Sequence, residues 1–454
     1  MWLGVLALST LILLSVIPAL VQVPLVDSAA HKSTSTTMTT SSASSGATTF
    51  ETAISPQYSY AEDVQQTSEG GYVVGANFCS STCYIALVAK LDSSGNLQWQ
   101  KQYQPSGSTT QLYALRLTSD GGYVWAGNLQ NSGACSECAF VAKLDSSGGI
   151  QWQKSYGSGA QANDIQQTTD GGYVIAGYTP PSLYGIVQAW IAKLDSSGNV
   201  QWQKALGSSN SVYGYSMQQT TDGGYVLAGF SGSPPNVLVA KFDSSGNVKW
   251  QTLYSISGSQ GIGYTVIQTS DGGYMVGGIV NYANALALKL SSSGNVQWAK
   301  TYDVSGAISQ FDSVRQTSDG GYAFSGYYNT GAAYGSYNSW VVRIDSNGNV
   351  QWQKTYGATT QSRQFQKIGL TSDGGFVAAG WTLQFNNQLE TYIVKTDSAG
   401  NVNNCKDVQS TSAITATASL SSSSARLSIS APTNAAVSGM ATASSTSFIL
   451  TKEC

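Results

Sequence analysis

A single phrase, Asp/Glu-Gly-Gly-Tyr/Phe, recurs seven times along the chain, starting at Glu69, Asp120, Asp170, Asp222, Asp271, Asp319 and Asp373, at spacings of 48 to 54 residues. A second phrase follows each copy at a distance of about 20 residues and is written most fully at Lys193-Leu-Asp-Ser-Ser-Gly-Asn-Val-Gln-Trp202. A period of this size implies stacked units that bury their apolar faces against one another, so the repeats must be read before any single motif. Most residues that look like motifs here are repeat grammar.

The third copy gives the local structure. Asp164-Ile-Gln-Gln-Thr168 alternates and leads into Thr-Asp-Gly-Gly, whose Asp-Gly pair supplies a tight hairpin turn. Tyr173-Val-Ile-Ala-Gly-Tyr178 and Ala189-Trp-Ile-Ala-Lys-Leu194 read as the second and third strands, joined by a loop that varies between copies. Asp195-Ser-Ser-Gly-Asn199 is a turn with Asp capping its own backbone, and Val200–Leu206 is the fourth strand. No window has a helical period. Four antiparallel strands in about 50 residues match a propeller blade, so the expected fold is all-β, a seven-bladed β-propeller of four-stranded antiparallel blades.

The ends of the array carry a closure signal. The seventh copy stops at Asp397-Ser-Ala-Gly-Asn-Val-Asn-Asn and lacks the Gln-Trp-Gln-Lys strand, whereas Phe50-Glu-Thr-Ala-Ile54 precedes the first copy as an orphan. We read Phe50–Ile54 as the fourth strand of blade seven, which removes the open edges of the array. Trp99, Trp152, Trp202, Trp250, Trp298 and Trp352 occupy one site per blade, with Phe50 in the seventh place. Aromatics so placed pack between neighbouring blades. The Lys at 90, 143, 193, 241, 289 and 395, with Arg343, is equally periodic and is expected to pair locally.

The reading divides the chain into an apolar signal peptide or N-terminal membrane anchor (residues 1–30), a Ser/Thr-rich stalk (31–49), the propeller (50–405) and a small Ser/Thr-rich C-terminal β segment or tail (406–454). Charged residues make up only 10% and the net charge is −3, which excludes electrostatic attraction to nucleic acid or anionic lipid. Export to the cell surface or medium is expected, with membrane contact only through an uncleaved N-terminal segment.

The repeated phrases resemble those of exported β-propeller repeat proteins of archaea and bacteria, over Phe50 to about Cys405, most of which have no assigned activity. The second phrase is also similar to the tryptophan-docking repeat of quinoprotein-type propellers. It has one residue fewer between Asp and Gly (Asp92 and Gly95), and the adjacent Cys-Cys pair and Ca²⁺-ligand set of quinone-dependent dehydrogenases are missing, so no cofactor is implied.

Subtracting the repeats leaves the face that carries the variable loops, where binding usually sits on a rigid scaffold. Its aromatics are Tyr178, Tyr184, Tyr213, Tyr215, Tyr327, Tyr328, Tyr334, Tyr337, Trp381 and Phe385. Rings beside neutral amides suit a glycan, a polymer or a cell-surface protein, and equally suit packing of the loops. Glu62, Asp63, Asp164 and Asp312 lie near the innermost strands and stand as channel acids, either solvated or gathered on a cation. Cys79 with Cys83, Cys135 with Cys138, and Cys405 with Cys454 read as disulfide pairs of an exported protein, the first four being alternatively a zinc set. No metal site is assigned. His31 is the sole histidine and lies in the stalk, which removes Ser-His and Cys-His nucleophiles from the propeller. The expected role is therefore a non-catalytic binding or scaffold module, the alternatives being a structural envelope protein or a glycosidase or lyase using channel carboxylates.

Overall fold

The computed structural model describes residues 48–452, except 55–57, 81–82, 106, 133–134, 180–184, 208, 257–259, 305, 330, 332–336, 358–360, 384–388 and, in the C-terminal segment, 404–408, 411–413, 418–419, 425–427, 431–435, 439–440 and 446–449. The N-terminal apolar run and the stalk lie outside it. Seven antiparallel sheets form a ring, each built from four strands, in chain order in six of them, with a short fifth strand at the outer edge. Blade one comprises Ser59–Gln66, Tyr72–Ser80, Cys83–Leu91 and Leu97–Pro105, from the axis outwards. In blade seven Phe50–Ile54 pairs antiparallel with Leu389–Thr396, Phe50 opposite Lys395 and Ile54 opposite Thr391. The orphan strand is the missing fourth strand, and the two ends of the array close the ring.

Blades adhere through one repeated contact. The turn after the third strand contains a glycine with positive φ, and the outer-strand aromatic of the preceding blade lies on it. At Gly95 (φ +80°) an added Cβ would stand 2.7 Å from the Phe50 ring, and at Gly246 (φ +77°) it would stand 2.7 Å from Trp202. Glycine is therefore required twice over, for the left-handed backbone and for the space. The same ring packs edge-on against the Tyr or Phe that opens the next blade's second strand: Phe50 on Tyr72, Trp99 on Tyr123, Trp202 on Tyr225, Trp352 on Phe376. Five blades add a buried tyrosine that donates to that turn's glycine carbonyl, for example Tyr103 to Gly148 at 2.8 Å and Tyr356 to Gly400 at 2.9 Å.

A second set of ties lies near the axis. The last Gln of an inner strand accepts the backbone N–H of the Ser or Thr turn residue in the preceding blade, as Gln167 does from Ser119 at 2.7 Å and Gln219 from Thr169 at 3.0 Å. Gln66 accepts from Ser372 at 2.7 Å, which carries the tie across the closure. The periodic lysines do pair locally: Lys143 with Asp120 at 2.8 Å, Lys193 with Asp170 at 2.9 Å, Lys395 with Asp373 at 2.8 Å, and Arg343 likewise with Asp319.

Among the described residues, the strands of the C-terminal segment do not pair with one another. Instead the segment travels backwards around the ring and adds one short antiparallel strand to each blade. Gln409–Ser410 lies on blade six, Ile414–Thr417 on blade five, Leu420–Ser424 on blade four and Ser428–Ser430 on blade three. Ala436–Ser438 and Ala441–Ser445 follow on blades two and one, and Leu450–Lys452 returns to blade seven, with Lys452 opposite Thr52. The circuit begins where it ends, because the Asn403 N–H donates to Thr49 Oγ1 at 2.7 Å beside the same blade. Outer edges offer unpaired backbone groups, and a belt of strands two to five residues long covers them.

Two outcomes are expected. Trp202→Ala should lower the unfolding free energy by about 3 kcal/mol, and Phe50→Ala by a similar amount; if the Phe50 variant keeps the wild-type urea midpoint, Phe50 does not close the ring. Deleting residues 404–454 should lower the melting temperature and, at raised concentration, shift the light-scattering mass above that of the monomer, since seven strand edges are uncovered.

Candidate functional site

One irregularity is common to all seven inner strands. Each pairs with its second strand through a β-bulge, with register shifts at Ala61/Asp63, Leu112/Ala114, Ala162/Asp164, Gly214/Ser216, Gly263/Thr265, Phe311/Ser313 and Phe365/Lys367. The extra residues are Glu62, Tyr113, Asn163, Tyr215, Tyr264, Asp312 and Gln366, all half-buried, flanked almost everywhere by buried neighbours. A bulge re-aims the side chain it inserts. Here it turns one residue per blade towards the axis, so these seven line the channel near the variable-loop face. Tyrosines on blades two, four and five flank Asn163 on blade three, and the acids Asp312 and Glu62 flank Gln366 on blades six, one and seven.

The aromatics continue from this layer onto the variable face. Tyr215 packs on Tyr264 (ring centroids 5.4 Å apart) and on Phe230 (5.9 Å), and Phe230 stacks on Tyr213 (4.7 Å, planes 15° apart). Tyr178 meets Tyr213 edge-on at 5.2 Å and donates its hydroxyl to Gln161. On the other side of the mouth Tyr327, Tyr337 and Trp381 form a chain with spacings of 5.2 and 5.8 Å. Burial pushes the phenols of Tyr113, Tyr215 and Tyr264 well up, aided by neighbouring phenols, so they remain neutral donors. The structure thus brings Tyr178, Tyr213, Tyr215, Tyr327, Tyr337 and Trp381 together at one rim. Tyr328 is elsewhere: it is buried against Trp340 between blades. Tyr184, Tyr334 and Phe385 lie outside the described residues. Tyr60, Tyr113 and Tyr264 belong to the rim and escaped sequence reasoning, although Tyr113 and Tyr264 hold the same repeat position as Glu62 and Tyr215.

The four channel acids separate into two kinds. Asp63 and Asp164 are buried and bridged by Arg116, with Nη1 on Asp63 and Nη2 on Asp164 at 2.6 Å. Each also accepts two backbone N–H groups, one from its own strand and one from the next blade: Val64 at 2.9 Å and Leu115 at 3.1 Å, Ile165 at 2.9 Å and Met217 at 3.0 Å. These two acids are blade ties, already satisfied, and among the described residues no His, Cys, Asp and Glu group gathers in a metal-binding arrangement. Glu62 and Asp312 remain in the channel wall on either side of blade seven. Burial pushes Glu62 up to about 8, with Lys367 opposing and Asp63 and Asp312 reinforcing the shift. Burial likewise raises Asp312 to about 7 against the hydrogen bonds from Gln310 and Gln364. Below about pH 7 the site therefore presents carboxylic acids, amides and phenols, a largely uncharged set that can both donate and accept.

Four of the cysteines lie on variable-face hairpins. Cys79 is opposite Tyr84 and Cys83 opposite Ser80 in blade one; Cys138 is buried in blade two, on the same strand as Cys135. Cys405 and Cys454 fall outside the described residues.

No family model and no curated protein matches the chain. Among solved structures it is similar to Sqt1 of Chaetomium thermophilum, at 10% identity over 75% of this chain and 96% of that one, with a TM-score of 0.44. It is also similar to a putative exo-β-1,3-galactanase from Bifidobacterium bifidum s17, at 14% identity over 58% of this chain and 95% of that one, with a TM-score of 0.30. Such likenesses concern shape alone.

The carboxyl shifts fix the pH dependence of stability. Burial raises the turn acids Asp120, Asp170 and Asp271, but hydrogen bonds from the partner lysine, a threonine and a glycine N–H outweigh it and hold each at about 2. Their contribution is present above the unfolded-state value and is lost as pH falls towards about 2. Glu62 and Asp312 act oppositely: they stay protonated while the unfolded chain ionises, so stability declines as pH rises from about 4 to about 8. Urea midpoints should therefore peak near pH 4–5. The Glu62→Gln, Asp312→Asn double variant should flatten the neutral limb, and an unchanged limb would show that these acids are not held protonated.

Proposed function

We propose that the chain is an exported, non-catalytic binding propeller whose variable-face channel mouth holds a neutral, hydroxyl-rich polymer, a glycan above all. The observation that carries this reading is the bulge layer. In it, three phenol rings and the Asn163 amide lie along one wall of the channel, and two carboxylic acids with the Gln366 amide between them lie along the opposite wall. Sugar rings stack their apolar faces on aromatics and trade hydroxyl hydrogen bonds with groups that both donate and accept. The sparse charge of the chain and the rigid, ring-closed scaffold support the same reading, since a pre-formed site loses little freedom on binding. Export rests on the N-terminal apolar run and on the paired cysteine spacing. The raised Glu62 and Asp312 carry a second reading, a carbohydrate-active enzyme in which one acid donates to a leaving oxygen.

One experiment separates them. The full chain is expected to bind a defined subset of a glycan array, and Tyr215→Ala and Tyr264→Ala should each weaken the best hit roughly tenfold. Incubating that hit with the protein should leave it intact; product that disappears in Asp312→Asn would favour the enzyme. An array without hits, or tyrosine variants that bind as tightly as wild type, would overturn the binding role at this mouth.

A further inference from the structure

Below the bulge layer, towards the Asp-Gly-Gly turns, a second channel-facing position recurs three residues after each bulge: Gln65, Arg116, Gln166, Gln218, Ile267, Arg315 and Gly369. Its occupants normally bridge to the next blade. Gln65 donates to the Leu115 carbonyl at 3.1 Å and accepts from Leu117 at 3.1 Å, and Gln166 and Gln218 accept from Gln219 and Gln268. Blade seven has no side chain there. Gly369 leaves a gap between blade six and blade one, and a cavity opens in it, lined by Gln65, Gln66, Arg315, Gly369 and Leu370.

Arg315 is the charged group in that cavity. It holds the same repeat position as Arg116 and makes the same backbone bond, Nη1 to the Val314 carbonyl at 2.8 Å against 2.9 Å from Arg116 to Leu115. Their surroundings differ. Arg116 has Asp63 and Asp164 at the residue after the bulge in the two flanking blades, whereas Arg315 has Thr265 and Lys367 there. Among the described residues no carboxylate pairs with Arg315. The amides of Gln65 and Gln66 are occupied, the latter by Gly70 at 3.3 Å and Ser372 at 2.7 Å, so the guanidinium supplies the open donors of the cavity. A half-buried guanidinium beside Lys367 and Arg116 shares Asp63 and Asp164 with them only at a distance, because Arg116 holds both in direct ion pairs, and an anion in the cavity would relieve that imbalance.

We propose that this cavity is an anion site, in which Arg315 receives a small oxyanion (a carboxylate, sulfate or phosphate group) through the paired N–H geometry that guanidinium offers. Burial and the Arg116 charge depress the Arg315 pKa, and Asp63 and Asp164 oppose them only in part. The site lies at the opposite end of the channel from the tyrosine mouth and uses none of its residues.

The test is calorimetric titration of the full chain at low ionic strength with sodium sulfate, sodium phosphate and sodium acetate in turn. Saturable one-to-one binding of at least one is expected; sulfate or phosphate alone identifies a tetrahedral oxyanion, acetate a carboxylate. Arg315→Gln should weaken it at least tenfold. Gly369→Gln should do the same by filling the gap with the side chain other blades carry. A Cβ at Gly369 meets the Val377 side chain at 3.2 Å, which must give by a few tenths of an ångström, and the Val64 carbonyl at 3.5 Å; the glycine has no left-handed φ, and an unchanged urea midpoint checks that the variant folds. Lys249→Gln, on the exposed surface, should bind as wild type. No saturable heat with any of the three salts, or both cavity variants binding as wild type, would overturn the site.

Discussion

The ring stands on an aromatic seated on a glycine. Every blade passes an outer-strand Trp, or Phe50 in one case, to the turn of its neighbour, where a left-handed glycine both makes the turn and clears the space. Because the contact is always between a blade and the next, seven of them leave no free end only if the last blade finds the first. Phe50 does this by coming from ahead of the first blade to complete the final sheet. Closure then constrains everything inside it: the inner strands are held at fixed mutual angles, and the width of the channel follows from the number of blades rather than from the residues lining it.

Against that regular frame the bulges have a specific consequence. An inner strand without one would alternate its side chains between the two neighbouring blades. Inserting one residue turns a single side chain to the axis without disturbing the core on either flank. Core and channel therefore separate into different positions of the repeat, and the channel residues can differ from blade to blade while the core residues stay alike. Glu62, Tyr113, Asn163 and Tyr215 occupy one structural position with three chemistries.

This explains what was legible in the sequence. The Asp-Gly-Gly turns, the Trp and the Lys could be read because their structural task is identical in each blade, so the residue recurs. Phe50 could be read because its absence from the seventh copy left a gap of known shape. The bulge layer could not, since an extra residue in a short strand leaves most of the alternation intact and its identity varies. Asp63 and Asp164 stood out as unrepeated acids for a reason that only the three-dimensional neighbour reveals: Arg116, about 50 residues from each, holds both. The C-terminal belt was hidden for a different reason. Its small polar residues carry no period of their own, and each strand pairs with a blade that the chain completed tens to hundreds of residues earlier.

Gly369 shows how the repeat can be turned from a fold signature into a detector of exceptions. Glycines with positive φ recur in the turns because the backbone demands them. Gly369 sits in an inner strand, where the backbone makes no such demand and where most blades place a bridging side chain. A lost side chain costs packing and a blade tie, so its neighbours should have closed in; instead a cavity persists, and the residue facing it is an arginine stripped of the carboxylates that its counterpart Arg116 has. Two departures from the repeat, one removing bulk and one removing negative charge, meet at a single point on the axis. The two ends of the channel are thereby set apart chemically, an aromatic and nearly neutral mouth on the variable face and a cationic recess beneath the turns.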